Sequence, residues 1–388
     1  MDTMLSVLPP ELLEIVVRAL LCDDPQADAQ AAGRLAISSK RLRDLIRGNV
    51  AMVAELQAAR KMLTFQRQHE LKVAAGRLAA NAAFPFNPSD YKQVVHDLPV
   101  LAERHDFGGA KWRVAPDQRS QMLARLLRVS GSLIELRLYD CRVGDEDAKT
   151  LAAGVAASGS LATLALGANL IGDEGAKALA AGVASSSSMA TLELQLNRIS
   201  DEGAKALAVG VASSGSWVRL ILAQNYIGDE GAKALAASTG SLVKLILSYN
   251  QVGNEGFKAL AAGVSSSGSL THLDLSHQDN DTDITEGVEA LATSVSFSGS
   301  LTHLCLEGNR VGDEGTKALA FGVGASRSLH TLDLQMCGIG DEGAKALAVG
   351  VAANESMVRL MISGNQYGDE GAKALAAVGK ARKGFHVF

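Results

Sequence analysis

Beyond residue 130 the hydrophobic positions alternate between two periods. Leu161, Leu164 and Leu166 are spaced to put apolar side chains on one face of a short strand and the intervening residues on the other. The same spacing returns at Leu301, Leu304 and Leu306 and at Met357, Leu360 and Ile362. Between such segments the period changes: Ala176, Leu179, Ala180 and Val183 form one stripe of a helix of about three turns. The helix leucine recurs at Leu151, Leu179, Leu207, Leu235, Leu260, Leu291, Leu319, Leu347 and Leu375, at intervals of 28, 28, 28, 25, 31, 28, 28 and 28 residues. A three-residue deletion is thus followed by a three-residue insertion, and the phase is restored. The pattern predicts a solenoid of strand–turn–helix units in which each unit packs only on its neighbours.

The pattern frays at both ends. Leu123 and Leu133 keep the phase of Leu151 and Leu161, so residues 117–129 are expected to form the helix of an incomplete leading unit, with Pro116 just before it. Phe385 and Phe388 fall where a tenth strand would begin. Residues 5–48 predict two or three short helices. Leu12, Ile15, Val16, Ala19 and Leu20 line one face of the first, and Leu35, Leu42, Leu45 and Ile46 make a second apolar series. Residues 50–83 predict one long helix or two. Residues 84–116 predict an irregular connector in which Trp112 packs against the solenoid end. The chain therefore divides into 1–48, 49–116 and 117–388, the last holding a leading half repeat, nine strand-bearing repeats and a truncated tenth strand.

The phrase L-x-x-L-x-L-x-x-N resembles the leucine-rich repeat, and the 28-residue unit with a full helix is similar to its ribonuclease-inhibitor-like subclass. The resemblance covers roughly residues 117–388. It implies an α/β leucine-rich repeat horseshoe, with a concave parallel sheet and convex helices, preceded by a small all-helical N-terminal domain. It also implies that Asn169, Asn197, Asn225, Asn250, Asn309 and Asn365 form a ladder satisfying backbone groups as the chain leaves each strand. Cys141 and Cys337 occupy that slot too, which makes them structural.

Leu8-Pro9-Pro10-Glu11-Leu12-Leu13-Glu14-Ile15 and Ser39-Lys40-Arg41-Leu42-Arg43-Asp44-Leu45-Ile46 resemble the opening and closing phrases of an F-box. Leu42 stands where that family prefers Trp or Phe, and Ser38 where it prefers Val. The resemblance implies that Leu8, Pro9, Leu12, Leu13 and Ile15 dock the adaptor of a cullin-type ubiquitin ligase. The alternative for the same leucines is a plain N-terminal helical cap.

Composition sharpens this division. All 7 Pro lie in the first 116 residues, and formal charge is +4 over residues 1–128 against −9 over 129–388. No dense basic block is present, so no nucleic-acid partner is expected. Only 4 Cys occur, scattered and without a Cys-x-x-Cys pair, which suits a reducing compartment. The apolar run 12–21 contains Glu14 and Arg18 and has no basic leader, and no stretch is long and apolar enough to span a membrane. A cytoplasmic or nuclear protein of a eukaryote is expected.

Catalytic motifs are not found: there is no phosphate-binding glycine loop, zinc-protease helix or nucleophile elbow. The protein is expected to be no enzyme, with no cofactor and no metal. His272, His303, Asp274 and Cys305 lie on neighbouring strands, and an uncommitted binding face gives the same pattern as a zinc site. The loop from Asp279 to Asp283 begins like a calcium loop but has Ile284 and Ala290 where Gly and Glu are needed. It is better explained as the three-residue insertion.

The outward strand residues Glu135, Arg137, Tyr139, Glu193, Gln195, Arg219, Ile221, Lys244, Ile246, His272, Asp274, His303, Glu307, Asp333 and Arg359 make a varied surface, expected to bind a protein partner. The function expected is a protein-interaction scaffold that serves as the substrate-recognition subunit of a ubiquitin ligase. The alternative is a regulatory or signalling leucine-rich protein, GTPase-activating-like or innate-immune-like, without an F-box role.

Overall fold

Each repeat contributes one strand of three residues with its central side chain turned into the core. The computed structural model describes residues 104–106, 120–121, 123–124, 127–128, 133–213, 218–278, 283–382 and 384–388. The strands are β1 (Arg104–Asp106), β2 (Glu135–Arg137), β3 (Thr163–Ala165), β4 (Thr191–Glu193), β5 (Arg219–Ile221) and β6 (Lys244–Ile246). They continue as β7 (His272–Asp274), β8 (His303–Cys305), β9 (Thr331–Asp333), β10 (Arg359–Met361) and β11 (His386–Val387). All eleven pair in sequence order in one sheet, and every pairing is parallel.

Among the described residues, nine helices alternate with these strands. They are α1 (Asp145–Ala157), α2 (Asp173–Ala184), α3 (Asp201–Ser213), α4 (Asp229–Ala236), α5 (Asn254–Ser266), α6 (Thr285–Phe297), α7 (Gly312–Ala325), α8 (Asp341–Ala353) and α9 (Asp369–Ala381). Successive helices pack on one another. Leu164, Leu179, Leu192 and Leu207 and their equivalents are fully buried in one continuous core. This is the α/β horseshoe that the resemblance to leucine-rich repeats implies, built from the strand–turn–helix units that the alternating periods predict.

Both ends add detail. Leu123, Ala124 and Leu127 are helical and buried, and the Ser120 hydroxyl donates to Asp147 of α1. Strand β1 was not anticipated. It lies in the stretch that reads as connector, and its register sets His105 opposite Leu136, so the leucine that marks the other strands is missing. At the far end β11 is the short tenth strand of the repeat series. The F-box-like segment 1–48, the helical stretch 50–83, Trp112 and residues 279–282 lie outside the described residues.

The two irregular units leave the sheet undisturbed. The 25-residue unit has a shorter helix, α4, followed by a single 3-10 turn at Thr239–Ser241, while Arg219 still faces Lys244. In the 31-residue unit α6 keeps the 13 residues of α5, and His272 still faces His303. The insertion is therefore carried by the segment between β7 and α6.

Backbone groups freed at the strand ends are satisfied by the ladder. Asn225 accepts from the Ile199 N–H at 3.1 Å and donates to the carbonyls of Leu194, Leu222 and Ala223. Asn169, Asn197, Asn250, Asn309 and Asn365 behave alike. The remaining rung is Gln278, which the repeat phrase does not show. Its longer amide takes the Val252 N–H at 3.0 Å and donates to Leu247 and Ser276. Cys337 donates to Leu306 and Gln335, and burial pushes its thiol up to about 12, as a protonated donor requires.

A second set of contacts ties helix to helix. Gly172 offers no side-chain cap to α2; instead Asp145, from the preceding repeat, accepts the Gly172 and Gly175 N–H groups at 2.7 and 3.0 Å. Asp173, Asp201, Asp229, Asp313 and Asp341 do the same for the next unit. The aspartate of each G-D-E-G phrase thus caps the next repeat's helix, while the glutamate pairs locally, as Glu174 does with Lys177. A third ladder is serine-based: Ser160, Ser188, Ser269 and Ser356 donate to the carbonyls of Leu133, Leu161, Leu242 and Leu329.

Two outcomes test this packing. Asn225→Ala leaves buried N–H and C=O groups unpaired and should cost about 3 kcal/mol, read as a lower urea midpoint. At Gly210 a Cβ would lie 2.7 Å from the Ala180 carbonyl oxygen, whereas at Gly268 nothing lies within 4 Å. Gly210→Val should therefore lower the melting temperature, by about 1–3 kcal/mol of overpacking, and Gly268→Ala should leave it nearly unchanged.

Candidate functional site

The helices cover one face of the sheet, and the other face carries the non-leucine strand residues. Lateral pairing arranges these in rows that cross the strands. The first row runs Glu135, Thr163, Thr191, Arg219, Lys244, His272, His303, Thr331 and Arg359. The second runs Arg137, Ala165, Glu193, Ile221, Ile246, Asp274, Cys305, Asp333 and Met361. Tyr139, Gln195 and Glu307 stand two residues further along their chains. Twelve of the fifteen surface residues expected from the sequence stand in these two rows, and the other three follow them along the chain.

They are not equally available. Glu135 and Asp333 are 8% and 5% exposed, so these two are buried rather than displayed. Glu135 is held by Arg137 at 2.5 Å, and Asp333 accepts the backbone N–H of Gln335 at 3.1 Å. Ile221 and Ile246 are half-buried side by side, whereas Arg219 and Arg359 are exposed.

The centre of the face is chemically specific. His272 and His303 stack with ring centroids 4.0 Å apart and 8° between planes. Each ring's Nδ1 is bonded to the hydroxyl of the preceding threonine, Thr271 or Thr302. Burial, then His303, Lys244 and Arg219, lower the His272 pKa to about 4. Burial, then His330, Lys244 and Arg359, lower that of His303. The pair is neutral at pH 7, amid positive neighbours.

Cys305 lies between Asp274 and Asp333 in the second row. Burial first, and then the Asp274 charge, push its thiol well above the ordinary range, so little thiolate forms. The thiol does not group with the histidines. Its nearest donor set is Cys305, Glu307 and Asp333, with ligand atoms within 4.8 Å of one another, and His277 stands 3.6 Å from Glu307. A thiol with carboxylates could grip a divalent cation, but Asp333 already spends both oxygens on Gln335.

One apolar feature escaped the sequence pattern. The residue before each ladder position is left-handed: Leu196, Gln224, Tyr249, His277 and Met336 have φ between 50° and 58°. Large side chains here stand out at the sheet's C-terminal edge: Tyr249 is 50% exposed and stacks on His277 at 4.4 Å, and Met336 is 51% exposed. The available signal was a bulky residue directly before the ladder residue.

Comparison with known proteins agrees with this geometry. The Leucine Rich repeat family model matches residues 160–180, 185–208, 218–236, 241–261, 299–320, 325–348 and 353–376, so the chain carries leucine-rich repeats. No curated protein matches. Among solved structures, the chain is similar to one in the crystal structure of the Rad7 and Elc1 complex in yeast, at 16% identity and a TM-score of 0.37. That match covers 69% of this chain and 77% of the other. It is also similar to an internalin, InlF, from Listeria monocytogenes, at 16% identity and a TM-score of 0.35, over 74% of this chain and 86% of that one. Neither likeness carries a role over to this chain.

The thiol gives a chemical test of the site. Despite its partial exposure, Cys305 should react slowly with iodoacetamide at pH 8, read by peptide mass spectrometry against the urea-unfolded chain. Asp274→Asn removes a neighbouring negative charge, lowers the thiol pKa and should speed the labelling several-fold.

Proposed function

We propose that the protein is an interaction scaffold that holds a protein partner on the uncovered sheet face and catalyses nothing itself. The observation that carries this is a parallel sheet that, among the described residues, is clad by helices on one side only. Parallel sheets in globular α/β folds are covered on both faces, so an uncovered one is a surface kept for contact. The half-buried neighbours Ile221 and Ile246 are its apolar anchors, ringed by Glu193, Arg219, Lys244 and Asp274. The face's thiol is held protonated, which suits recognition better than nucleophilic chemistry.

In the same proposal, residues 1–48 dock a cullin-type ubiquitin-ligase adaptor through Leu8, Pro9, Leu12, Leu13 and Ile15. The repeats then select the substrate, in the cytoplasm or nucleus. Its support is the F-box-like pair of phrases joined to a repeat body of opposite net charge. Among the described residues, no helix is long and apolar enough to cross a membrane.

Affinity capture from cell extract separates the two halves of the proposal. Ile221→Asp with Ile246→Asp should lose the proteins captured by the full-length chain while the melting temperature holds. If capture survives, the sheet face is not the binding surface. Leu12→Asp in the full-length chain should lose the adaptor alone. An adaptor that never co-purifies leaves a plain leucine-rich scaffold.

A further inference from the structure

The first row of the sheet face is positive although the repeat body is negative. From β5 to β10 it reads Arg219, Lys244, His272, His303, Thr331 and Arg359. Among the described residues Arg219 and Lys244 have no ion-pair partner. Nor does either imidazole Nε2 of the stacked pair have a hydrogen bond. The carboxylates at the histidine end of this row are held elsewhere: Asp274 is bonded to the backbone and hydroxyl of Ser276, at 2.9 and 2.7 Å, and Asp333 to Gln335. Both partners lie two residues further along the strand. Arg219, Lys244 and the two Nε2 atoms are therefore left without partners while Asp274 and Asp333 are engaged, an asymmetry that favours a bound anion.

The second row limits what shape that anion can have. Ile221 and Ile246 lie directly beside Arg219 and Lys244, and Asp274 and Asp333 lie beside His272 and Thr331. The positive strip is one side chain wide. A polyanion as broad as a nucleic-acid duplex would press its phosphates onto those carboxylates. An extended peptide meets no such conflict: lying across the strands, its alternate side chains fall on the two rows. Five lateral steps of ~4.8 Å from Arg219 to Arg359 make a strip of about 24 Å, the length of about seven extended residues.

We infer that the partner reaches this face as an extended acidic segment lying across β5–β10, its carboxylates over the Arg219–Lys244–His272–His303–Arg359 row and its apolar residues over Ile221 and Ile246. This rests on the protein-binding role proposed above and names the chemistry of that partner. The histidine pair makes the contact pH-dependent. The groups facing it are Lys244 and Arg219 on one side, His330, Thr331 and Arg359 on the other, and Asp274, Cys305 and Asp333 behind. In the unbound protein burial and the positive neighbours keep both imidazoles neutral. A bound carboxylate favours the imidazolium, so the complex holds more protons than its parts, and affinity rises as pH falls toward the free pKa.

The probe is a fluorescein-labelled nine-residue peptide of alternating Glu and Leu, titrated into the full-length chain and followed by polarisation. It should bind, weaken with added salt, and bind more tightly at pH 5.5 than at 7.5, where its carboxylates remain largely ionised. Arg219→Glu with Lys244→Glu should raise Kd about tenfold or more, with Arg219→Gln and Lys244→Gln as the milder pair should reversal unfold the chain. His272→Gln with His303→Gln should flatten the pH dependence. Equal binding of the Lys-for-Glu peptide, tighter binding of an oligothymidylate of equal length, no binding, or indifference to the charge changes would each overturn the inference. Protein capture lost in the Ile221→Asp and Ile246→Asp chain but kept after charge reversal would overturn the acidic partner while leaving the scaffold role intact.

Discussion

The fold depends on satisfying the backbone of a chain that leaves its strand after only three residues. At each exit one residue turns left-handed, usually without being glycine, at a cost of roughly 1 kcal/mol or more. That turn leaves an N–H, such as that of Ile199, to be met from the next repeat, and carbonyls, such as that of Leu194, to be shared between the amides of both repeats. The amide of the ladder residue in the next repeat reaches back to them, and the aspartate of one repeat reaches forward to the helix of the next. Neither repeat is complete alone. Stability is therefore held at the junctions, which is why the spacing of units is so closely kept while their other residues vary.

Close junctions dictate the small side chains. The helices approach until a Cβ on Gly182 would lie 2.5 Å from the Ala152 carbonyl oxygen. Alanine and glycine are helix-surface choices here because of proximity and not because of propensity, since glycine costs about 1 kcal/mol within a helix. Two helix phenylalanines are pushed outward: Phe297 and Phe321 are 80% and 77% exposed. Phe257, fully buried, occupies a helix position where the other repeats carry Ala, Val or Thr.

Much of this was legible in the chain. Leucine spacing carries strand and helix because burial acts on side chains, and burial has a period. The ladder was visible wherever Asn or Cys held the slot, and Gln278 escaped because a longer amide does the same work from a phrase that no longer matches. Strand β1 escaped for a related reason: it pairs by backbone, and its central residue is His105. The roles of Asp145 and its equivalents were half legible. Their place at a helix start is visible in the chain, but the contact is with the following repeat, and contacts between repeats leave no mark in local spacing. For the face, alternation gave the residues but not their availability. Glu135 and Asp333 became buried through partners two residues away, Arg137 and Gln335, that alternation treats as independent.

The placement of the irregular units bears on what the face can be. The deletion lies between β5 and β6 and the insertion between β7 and β8, so both interrupt the stretch that carries Arg219, Lys244 and the stacked histidines. Either change, had it entered a strand, would have slipped the register by an odd number of residues and turned leucines outward. Instead α4 shortens, the β7–α6 segment lengthens, and Leu220, Leu245, Leu273 and Leu304 stay in line. The sheet face is thereby insulated from variation on the helical side. Rings that stack at 4.0 Å require their strands to be adjacent and in register, so the histidine pair exists only because that insulation holds. The rows of the face are fixed by the junctions behind them, and its chemistry was free to differ from repeat to repeat.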